Sequence, residues 1–225
     1  FMEDYDYTSK RAHISVYEIT KDSCKEIGIA LKEDFHLSYP FIFKHENEIY
    51  MCPETHEAKD IRIYKCVEFP LRWEISKILM SDVSACDTNL FFKGGKWWMI
   101  TNLCTSLIGD HNSEMHVFSS DLLMSEDWHP HPKNPIFIDP LIGRNGGLIV
   151  QDDDVYRVFQ KQGFDMYGES LGVSKIVKVD MSEYVEEIQF EVDPKYFDRL
   201  KGTHTYSFSE GLLAIDFVKI EKIRN

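Results

Sequence analysis

A chain of 225 residues with 43% hydrophobic and 13% aromatic side chains is apolar enough to bury a full core and lies far from the disordered class. Its 38 acidic against 25 basic residues give a net charge of −13, which argues against duplex nucleic acid or an anionic membrane surface as main partner, since both require a positive face. The longest run without Asp, Glu, Lys or Arg, Trp97 to Gly109, is 13 residues, short of the roughly 18–20 of a spanning helix, and a neutral ligand such as a sugar stays open.

In chain order the sequence repeats itself. Residues 1–31 read as a unit lacking its first strand: Phe1-Met2-Glu3-Asp4 stands where the next unit has Met51-Cys52-Pro53-Glu54, and His13–Tyr17 matches the later Ile61–Tyr64. The second unit runs from the strand Leu37–Phe43 through a polar turn, Lys44–Glu48, to Ile49–Cys52, then Ile61–Tyr64 and Trp73. The third repeats it as Cys86–Phe92, Lys93-Gly94-Gly95-Lys96, Trp97–Ile100, Met115–Phe118 and Trp128. Gly94-Gly95 suits a two-residue hairpin, whose turn positions need φ > 0. A fourth unit reads Gly147–Val150, the turn Gln151–Asp154, Val155–Phe159, then Gly168–Val177 and Glu187–Phe190. Pro194–Leu200 resembles a short helical turn, and a last hairpin joins His204-Thr205-Tyr206 to Leu212–Asp216 around Glu210-Gly211.

A period of about 50 residues with three or four strands per unit predicts an all-β five-bladed β-propeller with its first blade incomplete at the N-terminus. The expected blades of this single domain are approximately 1–34, 36–82, 83–140, 141–192 and 202–225. A β-sandwich of similar strand count is the competing architecture. The edge left by the missing first strand is expected to be covered by the 203–216 hairpin pairing with the strands of residues 1–20, or by a partner chain. No basic segment followed by an apolar run opens the sequence, so no secretory leader is expected. Five cysteines with no Cys-x-x-Cys pattern read as reduced thiols, which suits a cytoplasmic location.

Three stretches are more specific than the period: His36-Leu37-Ser38-Tyr39-Pro40-Phe41 followed by Pro53-Glu54; Asp87 before Phe91-Phe92 with Trp97-Trp98; and Trp128-His129-Pro130-His131-Pro132-Lys133-Asn134-Pro135. With Tyr167-Gly168 and Gly202-Thr203-His204-Thr205, they make nearly the whole chain resemble the N-terminal domain of plant glucosamine inositolphosphorylceramide transferases and its bacterial relatives. Those are similar in turn to the five-bladed arabinanase, levansucrase and invertase clan of glycoside hydrolases. The resemblance implies an arabinanase-like propeller and, in the plant proteins, a separate C-terminal domain that looks like the glycosyltransferase. It also implies that the strand bearing the clan's first-blade Asp is missing here, that Asp87 stands at the place of the third-blade Asp, and that the acid Glu of the next blade is replaced by Gly143-Arg144-Asn145-Gly146.

Inner strands of a propeller begin at the channel mouth, so the first residues there, His36, Ser38, Tyr39, Asp87, Arg144, Asn145 and His204, are expected to converge. Glu54, Asn102 and Gln160, each just after an apolar second strand, should join them. These side chains offer hydrogen bonds to hydroxyls and one cation for a carboxylate or phosphate. Asp87 and Arg144 could instead simply satisfy each other across the channel.

The favoured function is a saccharide- or glycoconjugate-recognising module in glycan or glycolipid synthesis, beside a fused or partner sugar-modifying domain. The alternative is a glycoside hydrolase or transglycosylase using Asp87 with Glu54 or Glu169, since such chemistry needs two or three carboxylates on one sugar. A scaffold with a plugged channel is a third reading. No cofactor is expected, and no metal. His129 and His131 each precede a proline and suggest an exposed extended loop, His111, Glu114 and His116 lack a zinc spacing, and Asp152-Asp153-Asp154 reads as a hairpin turn.

Overall fold

Short alternating runs between tight turns fold, as their period of two requires, into antiparallel strands. The computed structural model describes residues 1–105, 110–209 and 211–219. Its strands are β1 (Met2–Asp6), β2 (Arg11–Ile19), β3 (Cys24–Leu31), β4 (Ser38–His45), β5 (Glu48–Glu54), β6 (Asp60–Glu68), β7 (Arg72–Ser81), β8 (Ala85–Lys93), β9 (Lys96–Leu103) and β10 (Glu114–Ser120). They continue as β11 (His129–Pro130), β12 (Phe137–Ile138), β13 (Arg144–Gln151), β14 (Asp154–Lys161), β15 (Ser170–Asp180), β16 (Glu183–Val192), β17 (Leu200–Gly202), β18 (Tyr206–Ser209), β19 (Leu212–Ile215) and β20 (Val218–Lys219). Short 3-10 turns occupy His56–Ala58 and Pro194–Tyr196.

Strands adjacent in sequence are neighbours in the sheets, the meander pattern of propeller blades. The orders are β1-β2-β3, β4-β5-β6-β7, β8-β9-β10-β11 with β12 on β10, and β13-β14-β15-β16, followed by the pairs β17-β20 and β18-β19. The described residues fall into two compact units, Phe1–Thr88 with Leu122–Trp128, and Asn89–Asp121 with the chain from His129 onward.

In the first unit the β4–β5 turn places Glu46 at φ 48° and Asn47 at φ 65°, the two positive angles of a type I′ hairpin. The strands therefore extend further into the expected polar turn than the sequence suggests, to His45 and from Glu48. The core of this unit gathers Ile14, Val16, Leu37, Met51, Tyr64 and Trp73. Phe1 meets the Trp73 ring edge-on at 5.5 Å. Cys52 is fully buried, and that burial, with the Asp60 charge adding to it, pushes its thiol up to about 12. A thiol reagent at mildly alkaline pH should therefore label the exposed Cys24 in the native chain and reach Cys52 only after denaturation. Peptide mapping by mass spectrometry checks this, and equal labelling of the two would contradict the burial.

In the second unit the β8–β9 turn is Gly94-Gly95, at φ 61° and 80°, as its sequence demands. One apolar cluster joins Phe91, Trp98, Ile100, Met115, Val117, Val155 and Ile176, and another joins Val158, Leu171 and Val173. Nothing in the alternation Val155–Phe159 marks Arg157 as interior, yet it is fully buried. Its Nε donates to Glu186 at 2.9 Å, its Nη2 donates to the Ile142 carbonyl at 2.9 Å, and the rings of Phe137 and Phe159 lie 5.3 and 5.4 Å from the guanidinium carbon.

Among the described residues β18 pairs with β19 in a sheet of its own, and β1-β2-β3 is a sheet of three. Within the second unit the segment leading into β18 has its seat on Gly146 and Gly147 of β13. A Cβ on them would stand 2.5 Å from the His204 carbonyl oxygen and 2.4 Å from that of Tyr206, so the missing side chains let this segment lie directly on β13. Glu210 of the expected turn and residues 220–225 of the expected last blade lie outside the described residues. One expectation is corrected at His131, which is buried rather than on an exposed loop. Its Nδ1 accepts from the Lys133 N–H at 3.1 Å, leaving Nε2 to donate to the Asp180 carbonyl at 2.9 Å, so the loop is pinned.

Candidate functional site

Both units set their polar residues where inner strands begin. In the first, Ser38 pairs with Glu54 and Phe41 with Cys52, so Tyr39 and Pro40 bulge against a single residue. Tyr39 takes φ 45°, and on β8 Asp87 takes φ 50°. Left-handed backbone at non-glycine residues is costly and tends to collect at functional sites. Asp87 is buried there, 3% exposed.

His36, just before β4, is held by its surroundings. Its Nδ1 accepts from the Ala12 N–H at 3.1 Å, its backbone N–H donates to Glu57 at 2.8 Å, and its Nε2 lies 3.6 Å from a Glu3 oxygen. Its ring stands 6.4 Å from that of His56. Glu54, the last residue of β5, is buried with Oε1 2.9 Å from His56 Nδ1. Cys86, beside Asp87, completes the group: single donor atoms of Glu54, His56 and Cys86 lie within 4.8 Å of one another. The sequence reading named His36, Tyr39, Glu54 and Asp87 but missed His56 and Cys86. The pair Glu54-Thr55-His56 at a strand end was the signal for the first of these.

In the second unit the amide residues form a buried brace. Asn102 donates through Nδ2 to the carbonyls of Glu114 at 3.0 Å and Gly143 at 2.8 Å, and its Oδ1 accepts from the Asn145 N–H at 2.9 Å. Gln160 donates to the Asn145 carbonyl at 2.6 Å, and Gln162 Oε1 accepts from the Gly168 N–H at 3.0 Å. Asn102 and Gln160 thus hold the Asn145 backbone, and the Asn145 Oδ1 accepts from Arg157 Nη1 at 3.4 Å.

Next to Asn145 stands Arg144, whose Nη1 donates to Asn112 Oδ1 at 2.8 Å and whose guanidinium carbon lies 5.0 Å from the Tyr167 ring centroid. Tyr167 in turn meets the His204 ring edge-on at 5.1 Å. His204 Nδ1 pairs with the Asp216 carboxylate, whose Oδ1 also accepts from the N–H groups of His204 at 2.9 Å and Thr205 at 2.7 Å. Burial raises the Asp216 carboxyl, but the His204 contact and these N–H donors outweigh it and leave it below the usual carboxylate range.

Beside this stack opens a cavity of about 270 Å³ lined by Asp110, Asn112, Pro140, Gln162, Met166 and Tyr167, among others. Asp110, unmarked in the sequence reading, accepts at Oδ1 from the N–H groups of Asn112 at 2.7 Å and Ser113 at 2.9 Å. Burial works against the charge of this carboxyl, yet these donors keep its affinity for protons below the usual value. Glu169 is exposed and packs over Gly163 of the same wall, where an added Cβ would lie 3.1 Å from Oε2. An aromatic face, amides, an ionised carboxylate and a guanidinium around one concavity can hold a polar ligand with hydroxyls.

Of the other groups weighed for a metal, His116 and Asp154 each meet a charged neighbour. His116 Nε2 stands 3.6 Å from Glu114 Oε2, and burial lowers the proton affinity of this imidazole. Asp152 is the turn residue with φ 54°, and Asp154 pairs with Lys175 at 2.6 Å.

A family model described as "Glucosamine inositolphosphorylceramide transferase 1, N-terminal" matches residues 1–210. Glucosamine inositolphosphorylceramide transferase 1 of Oryza sativa subsp. japonica is 39% identical over 163 residues, 71% of this chain and 22% of its own length. The Arabidopsis thaliana protein of the same name is 35% identical over 171 residues, 74% of this chain and 22% of its own. The chain thus spans 22% of the length of these curated relatives. Among solved structures, the exo-β-1,3-galactanase of Phanerochaete chrysosporium with galactose superposes with a TM-score of 0.57 at 11% identity, over 81% of this chain and 43% of that one. The GH32 β-fructofuranosidase of Bombyx mori gives 0.56 at 9% identity, over 90% and 47%. A levansucrase mutant of B. megaterium gives 0.53 at 12%, over 86% and 64%. At such identities the likeness concerns the fold alone, an all-β propeller.

Proposed function

This chain belongs to the family of the N-terminal domain of glucosamine inositolphosphorylceramide transferase 1, and from that premise we propose that it is a carbohydrate-recognising, five-bladed propeller module of glycan or glycolipid synthesis, acting beside a sugar-transferring domain or subunit. The three-stranded β1-β2-β3 sheet counts as the blade without its first strand, and the small C-terminal ladders count as the fifth. The observation that carries the reading is the Arg144–Tyr167–His204 stack beside the cavity of about 270 Å³, with Asn112 and Gln162 in reach of hydroxyls. Saccharide would lie against Tyr167, with Arg144 and the wall amides setting its orientation. His36, Tyr39, Glu54 and Asp87 supply polar groups at the strand mouths of the first unit.

The test is calorimetric titration with oligosaccharides of varied composition, together with hydrolysis of activated aryl glycosides. Arg144→Ala should weaken binding about tenfold or more, since hydrogen bonds to a charged group are worth about 1.5–3 kcal/mol, and Tyr167→Ala should weaken it by removing the ring face. Asp87→Asn and Glu169→Gln should show no turnover to lose. Robust wild-type hydrolysis that either of these variants abolishes while binding survives would replace this reading with a glycoside hydrolase.

A further inference from the structure

Of the group formed by Glu54, His56 and Cys86 in the first unit, the sugar-binding argument uses Glu54 alone, and the three together have a chemistry of their own. We propose that these three side chains bind one zinc-class divalent ion, leaving a coordination position open beside the strand that carries Asp87. The inference does not depend on the second unit or on its ligand.

The donor set selects the ion. A thiolate sulfur, an imidazole nitrogen and a carboxylate oxygen form the mixed soft and borderline set of zinc, whereas calcium and magnesium take oxygen. Zinc distances of about 2.0–2.3 Å place tetrahedral ligand atoms roughly 3.3–3.8 Å apart. Here the three donor atoms already lie within 4.8 Å of one another, and His56 Nδ1 is 2.9 Å from Glu54 Oε1. Closing the set asks for side-chain adjustment alone.

The elements suit the task. Glu54 ends β5 and Cys86 is the second residue of β8, so two ligands sit on strands and are buried. His56 begins the short turn His56–Ala58 and is half-buried, which gives the ion a way in. His36, though its ring is near that of His56, is not a ligand through Nδ1, because that nitrogen accepts from the Ala12 N–H. Three protein ligands leave the fourth tetrahedral position to water or to an oxygen of a bound molecule. On binding, the Cys86 thiol gives its proton to solvent and the sulfur takes the ion, so affinity rises with pH.

Cobalt(II) is the probe, because thiolate ligation gives it a near-ultraviolet charge-transfer band. The full chain, freed of metal with a chelator, should take up one equivalent of cobalt with that band, and zinc should displace it. Cys86→Ser should abolish the band, and Cys24→Ser, at an exposed thiol outside the group, should leave it intact. His56→Gln, at a partly exposed position, should weaken cobalt binding by more than about tenfold, the lower end for loss of even an outer-shell partner. Circular dichroism of each variant confirms folding. If Cys86→Ser does not fold, His56→Gln decides. No stoichiometric uptake, a band that survives Cys86→Ser, or unchanged affinity in folded His56→Gln overturns the proposal.

Discussion

Glu186→Ala is expected to lower the unfolding free energy by about 3–5 kcal/mol, the range for breaking a buried ion pair. Arg157 has a side chain 0% exposed and Glu186 one 3% exposed, so neither charge has water to fall back on. Removing the carboxylate strands a guanidinium between the rings of Phe137 and Phe159, whose faces do not replace a full counter-charge. The Ile142 carbonyl remains as an acceptor, and it too is neutral. Replacing both partners, as Arg157→Met with Glu186→Leu, should recover most of the loss, because the cost is that of an unpaired charge rather than of a missing attraction. Urea denaturation of the single and double variants measures both, and a loss under about 1 kcal/mol in Glu186→Ala would mean that the pair is solvated in solution.

A second large effect is expected from the smallest substitution, Gly143→Ala. A Cβ there would stand 2.0 Å from the Ser113 carbonyl oxygen and 2.8 Å from that of Asp139. Both are backbone atoms that cannot rotate away, so the turn must move. Overpacking of this kind costs about 1–3 kcal/mol and occasionally more. The displaced segment includes the carbonyl that Asn102 holds at 2.8 Å and leads directly into Arg144, so saccharide binding should fall together with the melting temperature. Gly95→Ala is the contrast in space, with nothing within 4 Å of the added atom, although its φ of 80° leaves a local strain. An alanine at 143 that binds and melts like the wild type would refute the close approach.

How much of this was readable beforehand depended on how local the signal was. Gly94-Gly95 announced its hairpin because only a few residues accept two consecutive positive φ angles, and the alternation Met115–Phe118 announced a half-buried strand. Residues bearing an unusual burden at one position, such as Asp87 and Arg144, were found through the strand-mouth pattern. The pairing of Arg157 with Glu186 was not, because a charged residue among Val155, Tyr156, Val158 and Phe159 looks like the solvent side of a strand until its partner is known. The grouping of Glu54, His56 and Cys86 was hidden for a related reason: about thirty residues separate Cys86 from the other two, and Glu54 and Cys86 lie on different sheets, so no strand pairing links them. The backbone bonds that Asn102 and Gln160 make to Asn145 were not legible either, since composition says which groups hydrogen-bond and not which partner receives the bond.

The bare stretch of backbone at Gly146 and Gly147 also fixes a sequence of events. The segment His204–Tyr206 that lies on it follows all four strands of the β13-β14-β15-β16 sheet in the chain, so it is synthesised after them. Until it is made, that strip of main chain has no cover and Tyr167 has no His204 ring against it. A nascent or prematurely stopped chain can be well folded through its strands and still lack one wall of its stack.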